Sequence, residues 1–163
     1  MITRNTRANR TAGFVLCALV AVPVVVQAQN KPNLTGEWKL NPSKSEFGRF
    51  PAPIKRTDKV DHADPSLRVL TTATLPNGET SLETKYLTDG TETTNDFHGN
   101  PMKSTCQWEG ETLRITSKVR LAEGEMTVVD RVSLSQDGKT MTIHRHASGP
   151  QGQADQTMVS EKQ

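Results

Sequence analysis

The chain has 163 residues, with 20 basic and 18 acidic side chains, a formal net charge of +2 and two cysteines. Three of the basic residues fall in the first 28, and the 17 basic against 18 acidic side chains of the remainder give nothing that suggests a nucleic-acid surface. With 33% hydrophobic and 4% aromatic residues it can bury only a modest core, and abundant threonine suits strands better than helices.

Residues 1–28 read as a signal peptide. Arg4, Arg7 and Arg10 form a basic start, residues 12–26 are apolar, and Val26-Gln27-Ala28 resembles a signal-peptidase site before Gln29. The apolar run is short and holds Pro23, which argues against a permanent membrane anchor. Leu16 before Cys17 is bulky where a lipobox needs a small residue, which argues against a lipoprotein. Removing 28 of the 163 residues leaves 135, residues 29–163, enough for one domain, with 17 basic against 18 acidic side chains. Cys106 is then the only cysteine, so no disulfide forms within the domain although an exporting compartment would permit one. The expected location is secreted or periplasmic, with no membrane span after cleavage.

The domain opens on residues 33–42, where Leu34, Trp38 and Leu40 share one phase of a strand. Pro42, Gly48, Pro51 and Pro53 prevent residues 41–53 from continuing it. That segment offers one helical turn, with Ser43 as N-cap and Glu46 closing a capping box, or a loop whose Phe47 or Phe50 plugs an apolar space.

From residue 54 the pattern is a meander. Strand runs at 54–61, 67–75, 79–88, 91–97 and 102–108 are separated by Asn77-Gly78, Asp89-Gly90, Gly99-Asn100 and Glu109-Gly110. Residues 111–146 contain three alternating runs broken at Glu123-Gly124 and Asp137-Gly138, and a last run covers 154–162. The count is about ten short strands at regular spacing, and no helix is long enough for a parallel crossover. The fold expected is all-β: an antiparallel up-and-down meander forming a barrel or a strongly curved sheet.

Two-residue loops fix the cross-strand partners. They put Val119 opposite Val128, Leu113 opposite Leu134, Val132 opposite Ile143 and Asp130 opposite Arg145. Extended to the other turns, the same rule puts Val69 opposite Tyr86, Thr84 opposite Asn95, Phe97 opposite Met102 and Cys106 opposite Leu113. One face then collects the apolar residues, and across its middle runs a polar row: Thr71, Thr84, Asn95, Ser104, Ser117, Asp130, Arg145 and Gln156, joined by Arg56 and Asp58. A dry core does not tolerate such a row, because each unpaired buried polar group costs about 1–3 kcal/mol. Water or a ligand is expected to fill part of the interior, as in closed sheets of about this strand number.

The candidate ligand-binding residues are Arg145, Asp130, Ser117, Asn95, Arg56 and Gln156 on the belt, with Tyr86, Trp108 and Trp38 as aromatic walls or core. Asp130 and Arg145 serve either as a structural pair or as a ligand anchor whose guanidinium the aspartate holds. His144 and His146 fall on the outer face beside Arg131 and Asp155 with no third ligand near, so no metal is expected; His62 and His98 are expected in loops. Cys106 faces inward without a basic neighbour, and no nucleophile elbow or phosphate loop is present. No catalytic residue and no cofactor are implied.

Gly36-Glu37-Trp38 on the first strand, followed by an antiparallel meander with an arginine on the penultimate strand, resembles the calycin superfamily of lipocalin-like and fatty-acid-binding-protein-like barrels. The stretch from Gly36 to Ser45 also resembles uncharacterised secreted proteins of soil bacteria. The resemblance implies a barrel around a small molecule; in the fatty-acid-binding branch an inward arginine holds the ligand's carboxylate, and Arg145 is the matching position. Asp130 opposite it departs from a simple anion site, and the two-helix lid of that branch is missing. The function expected is a non-enzymatic carrier of a small hydrophobic or amphipathic ligand. The alternatives are a secreted interaction or inhibitor module using its loops, and a barrel enzyme or haem binder using the belt or His144.

Overall fold

The computed structural model describes residues 31–163. The signal-peptide reading of residues 1–28 lies outside the described residues. Ten strands follow in order: β1 (Gly36–Leu40), β2 (Lys55–Ala63), β3 (Ser66–Leu75), β4 (Gly78–Leu87) and β5 (Thr93–Phe97), then β6 (Asn100–Glu109), β7 (Thr112–Leu121), β8 (Gly124–Leu134), β9 (Thr140–Gly149) and β10 (Gly152–Lys162). They form one antiparallel sheet in which every sequential pair is a neighbour except β4 and β5. The first and last strands pair with each other, Trp38 opposite Lys162 and Leu40 opposite Ser160. The sheet therefore wraps into a nearly closed barrel, with β4 and β5 as its two facing edges.

Among the described residues helix is limited to one 3-10 turn, Pro42–Lys44. Its cap is Asn41 rather than Ser43: the Asn41 carboxamide accepts the Ser43 amide at 3.2 Å, and Pro42 sits at the first position, where its missing N–H costs nothing. The rest of the segment is a loop, as the prolines dictate.

The inward and outward sides of every expected strand are as the alternation predicts, but several registers differ. At β8–β9 the pairing is the expected one, with Val132 opposite Ile143 and Asp130 opposite Arg145. Elsewhere the ladders slip by two residues: Tyr86 opposes Leu67 rather than Val69, Met102 opposes Asn95 rather than Phe97, Cys106 opposes Ile115 rather than Leu113, and Val128 opposes Ser117 rather than Val119. The cause is turn chemistry. Pro76-Asn77 forms the β3–β4 turn and Gly78 follows it, which suits the proline preference at the second position and the glycine preference at the fourth position of a type I turn. At β5–β6 the loop is His98-Gly99, both with positive φ (52° and 86°), as a type I′ hairpin requires.

The tightest part of the core lies at the end of the barrel where β2 meets β3 and β6 meets β7. Trp38 and Leu113 are fully buried there, with Cys106 and Leu67 beside them. Trp38 also donates its indole N–H to the Leu34 carbonyl at 2.9 Å, so its one polar atom is satisfied.

Candidate ligand cavity

At the opposite end the strands enclose a cavity of about 490 Å³. Its walls are mainly apolar, among them Val69, Leu82, Phe97, Met126 and Val128, and the polar belt crosses its middle. The loop between β1 and β2 covers the mouth, contributing Phe47, Phe50, Pro51 and Pro53 to the lining. The loop is tied down by backbone bonds in both directions between Glu46 and Thr157 (2.7 and 2.8 Å) and by Arg49 donating to the Gln151 carbonyl at 2.9 Å. Gly48 lets it lie so close: its φ is +57°, and a Cβ there would sit 2.6 Å from the Asp155 carbonyl oxygen.

Two arginine–aspartate pairs stand on the belt. Arg145 binds Asp130 through Nε at 2.7 Å and Nη2 at 2.8 Å, a two-pronged contact across the β8–β9 ladder. Both side chains line the cavity, and their residual accessibility, 29% and 16%, faces into it. Burial pulls the Arg145 pKa down, but the charge and hydrogen bonds of Asp130 outweigh it and hold the guanidinium above its ordinary value. Arg56 grips Asp58 on its own strand at 3.0 Å, and the Thr71 hydroxyl donates to the same carboxylate at 2.5 Å. Arg56 Nη1 also reaches the Met158 sulfur at 3.3 Å. Asp58 is 2% exposed, so this pair is the more deeply buried of the two.

Of the residues expected to bind a ligand, Arg145, Asp130, Ser117, Arg56, Gln156 and Tyr86 all line the cavity. Gln156 pairs directly with Arg145, and burial pushes the Tyr86 phenol up, so it stays neutral. Ser117 shares a 2.9 Å hydrogen bond with Ser104. Trp38, Trp108 and Asn95 lie elsewhere. The reason for Trp38 is burial at the far end. Asn95 instead spans the gap between the sheet edges: its carboxamide accepts the Lys85 amide at 2.7 Å and donates to the Lys85 carbonyl at 3.0 Å. One side chain thus substitutes for a missing rung, and the expected Thr84–Asn95 pair does not form because the connection over residues 88–92 bonds elsewhere, the Thr88 N–H to the Pro65 carbonyl and the Gly90 N–H to the Cys106 carbonyl.

Trp108 belongs to a cluster that the sequence reading missed. Asp64, in the turn between β2 and β3, receives hydrogen bonds from Thr88 (2.6 Å), His62 Nε2 (2.9 Å) and Trp108 Nε1 (3.3 Å), and Lys31 lies at 3.4 Å. Partial burial works against ionisation of Asp64, yet these four donors hold its carboxyl far below the usual range. His62 is on β2 rather than in a loop, and its Nδ1 accepts the Leu34 amide at 3.3 Å. The available signal was phase: His62 lies two residues beyond Val60 and four beyond Asp58, on the same side of the strand.

Burial pushes the Cys106 thiol up to about 12, so it stays protonated. On the outer face His144 contacts the Thr157 hydroxyl and His146 contacts Asp155.

No protein-family model and no curated protein sequence matches the chain, so the likeness of its first strand to secreted proteins of soil bacteria gains no support. Solved structures do match. Zebrafish ileal bile acid-binding protein complexed with cholic acid superposes with a TM-score of 0.54 at 18% identity, over 79% of this chain and 98% of that one. A secretory abundant heat soluble protein from Ramazzottius varieornatus gives 0.58 at 12% identity, over 79% and 94%. The Schistosoma mansoni fatty acid binding protein in complex with arachidonic acid gives 0.52 at 16%, over 80% and 96%. The fold is calycin-like. At these identities the likeness is one of fold.

Proposed function

We propose that the chain is an exported, non-enzymatic binding protein that holds a small hydrophobic or amphipathic molecule inside its barrel. The observation that carries this reading is the 490 Å³ cavity, apolar at its walls and polar across its middle. That volume lies within the range of about 300–1,000 Å³ typical of small-molecule sites. A pure scaffold would fill the space with side chains, because an empty interior forfeits dispersion contacts. The fold neighbours lend support, being a bile acid-binding protein with cholic acid and a fatty acid binding protein with arachidonic acid. The ligand-binding residues proposed are Arg145, Asp130, Ser117, Arg56, Gln156 and Tyr86, with Asn95, Trp38 and Trp108 holding the barrel that presents them. Export to the periplasm or the medium follows from the leader; no helix among the described residues is long and apolar enough to cross a membrane.

Native mass spectrometry of the protein purified from its own host tests the reading. The expected spectrum shows a chain beginning at Gln29 with a small-molecule adduct that is lost on denaturation. An adduct-free spectrum, together with no binding of lipid probes by calorimetry, overturns the carrier reading; retention of Arg4 overturns export.

A further inference from the structure

We infer that the cavity is selective for uncharged amphipaths, lipids with a hydroxyl or ester head such as a monoacylglycerol, and discriminates against carboxylates. The inference rests on the carrier reading and sharpens it. Each arginine on the belt is already neutralised by an aspartate inside the cavity, Arg145 by Asp130 and Arg56 by Asp58, so the ionised groups of the lining sum to no charge at the centre. A ligand carboxylate reaching Arg145 would share its guanidinium with Asp130, two like charges in a water-poor space, and would be buried without a cation of its own. A cationic head would meet the two arginines and find both aspartates occupied.

An uncharged head fits what remains. Asp130 uses Nε and Nη2 of Arg145, and a guanidinium carries five N–H groups, so Nη1 is left to donate to a carbonyl or hydroxyl oxygen. Gln156, opposite Arg145 in the β9–β10 ladder, has no side-chain hydrogen bond among the described residues and can both donate and accept. The alkyl tail then runs towards the mouth along Leu82, Phe97 and Met126.

Calorimetry with laurate, 1-monolauroylglycerol and dodecylammonium, all below their micelle concentrations, tests this on the exported protein, since the three share one alkyl chain. The expected order is monolauroylglycerol tightest, with the two ions weaker by about tenfold or more. Asp130→Asn should invert the preference between monolauroylglycerol and laurate, because it frees the Arg145 charge. Laurate binding the wild type as tightly as monolauroylglycerol overturns the inference while leaving the carrier reading intact; failure of all three to bind also overturns the inference, and with an adduct-free native spectrum it overturns the carrier reading as well. If circular dichroism shows that Asp130→Asn does not fold, the wild-type order alone decides.

Discussion

Where β2 turns into β3 and β6 into β7, Trp38 and Leu113 are 0% exposed, and Asp64 gathers donors from three strands or loops. At the other end of the same strands, two phenylalanines on a loop cover 490 Å³ of space, and Ile54 beside them is 67% exposed. The alternation that builds both ends is the same. What differs is whether a large side chain fills the centre: Trp38 does so at the floor, whereas at the middle and mouth the charges of the belt and the aliphatic and aromatic side chains line the walls and leave the space between them open. Stability and binding are thereby separated along the barrel axis, which gives a thin-cored domain without disulfides one well-filled end to hold it together.

The sharpest way to break that separation is at the floor. Trp38→Ala should cost about 3–5 kcal/mol, measured by urea denaturation, because it removes a wholly buried indole and strands the Leu34 carbonyl. A loss below that of a belt substitution would show that the floor is not the stability centre. The belt comes next. Arg145→Met or Asp130→Leu alone should each cost about 3 kcal/mol, the low end for a broken buried pair because both side chains retain access to the cavity. Combined in one chain the two changes should recover more than half of that loss, and simple additivity of the two costs would contradict a coupled pair.

Asn95→Ala should cost about 1–2 kcal/mol and accelerate hydrogen exchange of the Lys85 amide, since the carboxamide is the hydrogen-bonded link from β5 to the β4 backbone there. Unchanged protection at Lys85 would mean that the edges hold without it.

The pH dependence of the floor is smaller still. Asp64 has a folded pKa below its ordinary value of 3.8, so its contribution is fully present above that pH and is lost as pH falls towards the folded value. Between pH 4 and pH 2 the wild type should therefore lose stability more steeply than Asp64→Asn; parallel curves would refute the role of the carboxylate. Smallest of all is the mouth. Phe50→Ala should leave the unfolding midpoint near that of the wild type while speeding ligand release in stopped-flow displacement, the reverse of the pattern at Trp38.

Much of this was readable from residue order. The placement of Ser117, Asp130 and Arg145 on one apolar face needed only the period of two, and the plug role of Phe47 and Phe50 needed only the prolines around them. The registers were less legible for a physical reason: a slip of two residues returns every side chain to the same face, so the hydrophobic pattern does not distinguish Ser117 from Val119 as the partner of Val128. Only turn chemistry does, and Pro76-Asn77-Gly78 is read correctly once the glycine is taken as the residue after the turn.

Residue order by itself determined the strands, their inward and outward sides, and the chemistry of the belt, because these follow from local alternation and from which residues tolerate a turn. Tertiary structure alone decided the rest. Pairing of β1 with β10, the contact of Trp108 with Asp64 and the Arg56 contact with Met158 join residues far apart in the chain, and the side-chain bridge from Asn95 to Lys85 joins the two edges that the barrel brings face to face. Their partners depend on how the whole sheet curls, and the cavity volume is what the curl leaves over once Trp38 has filled one end.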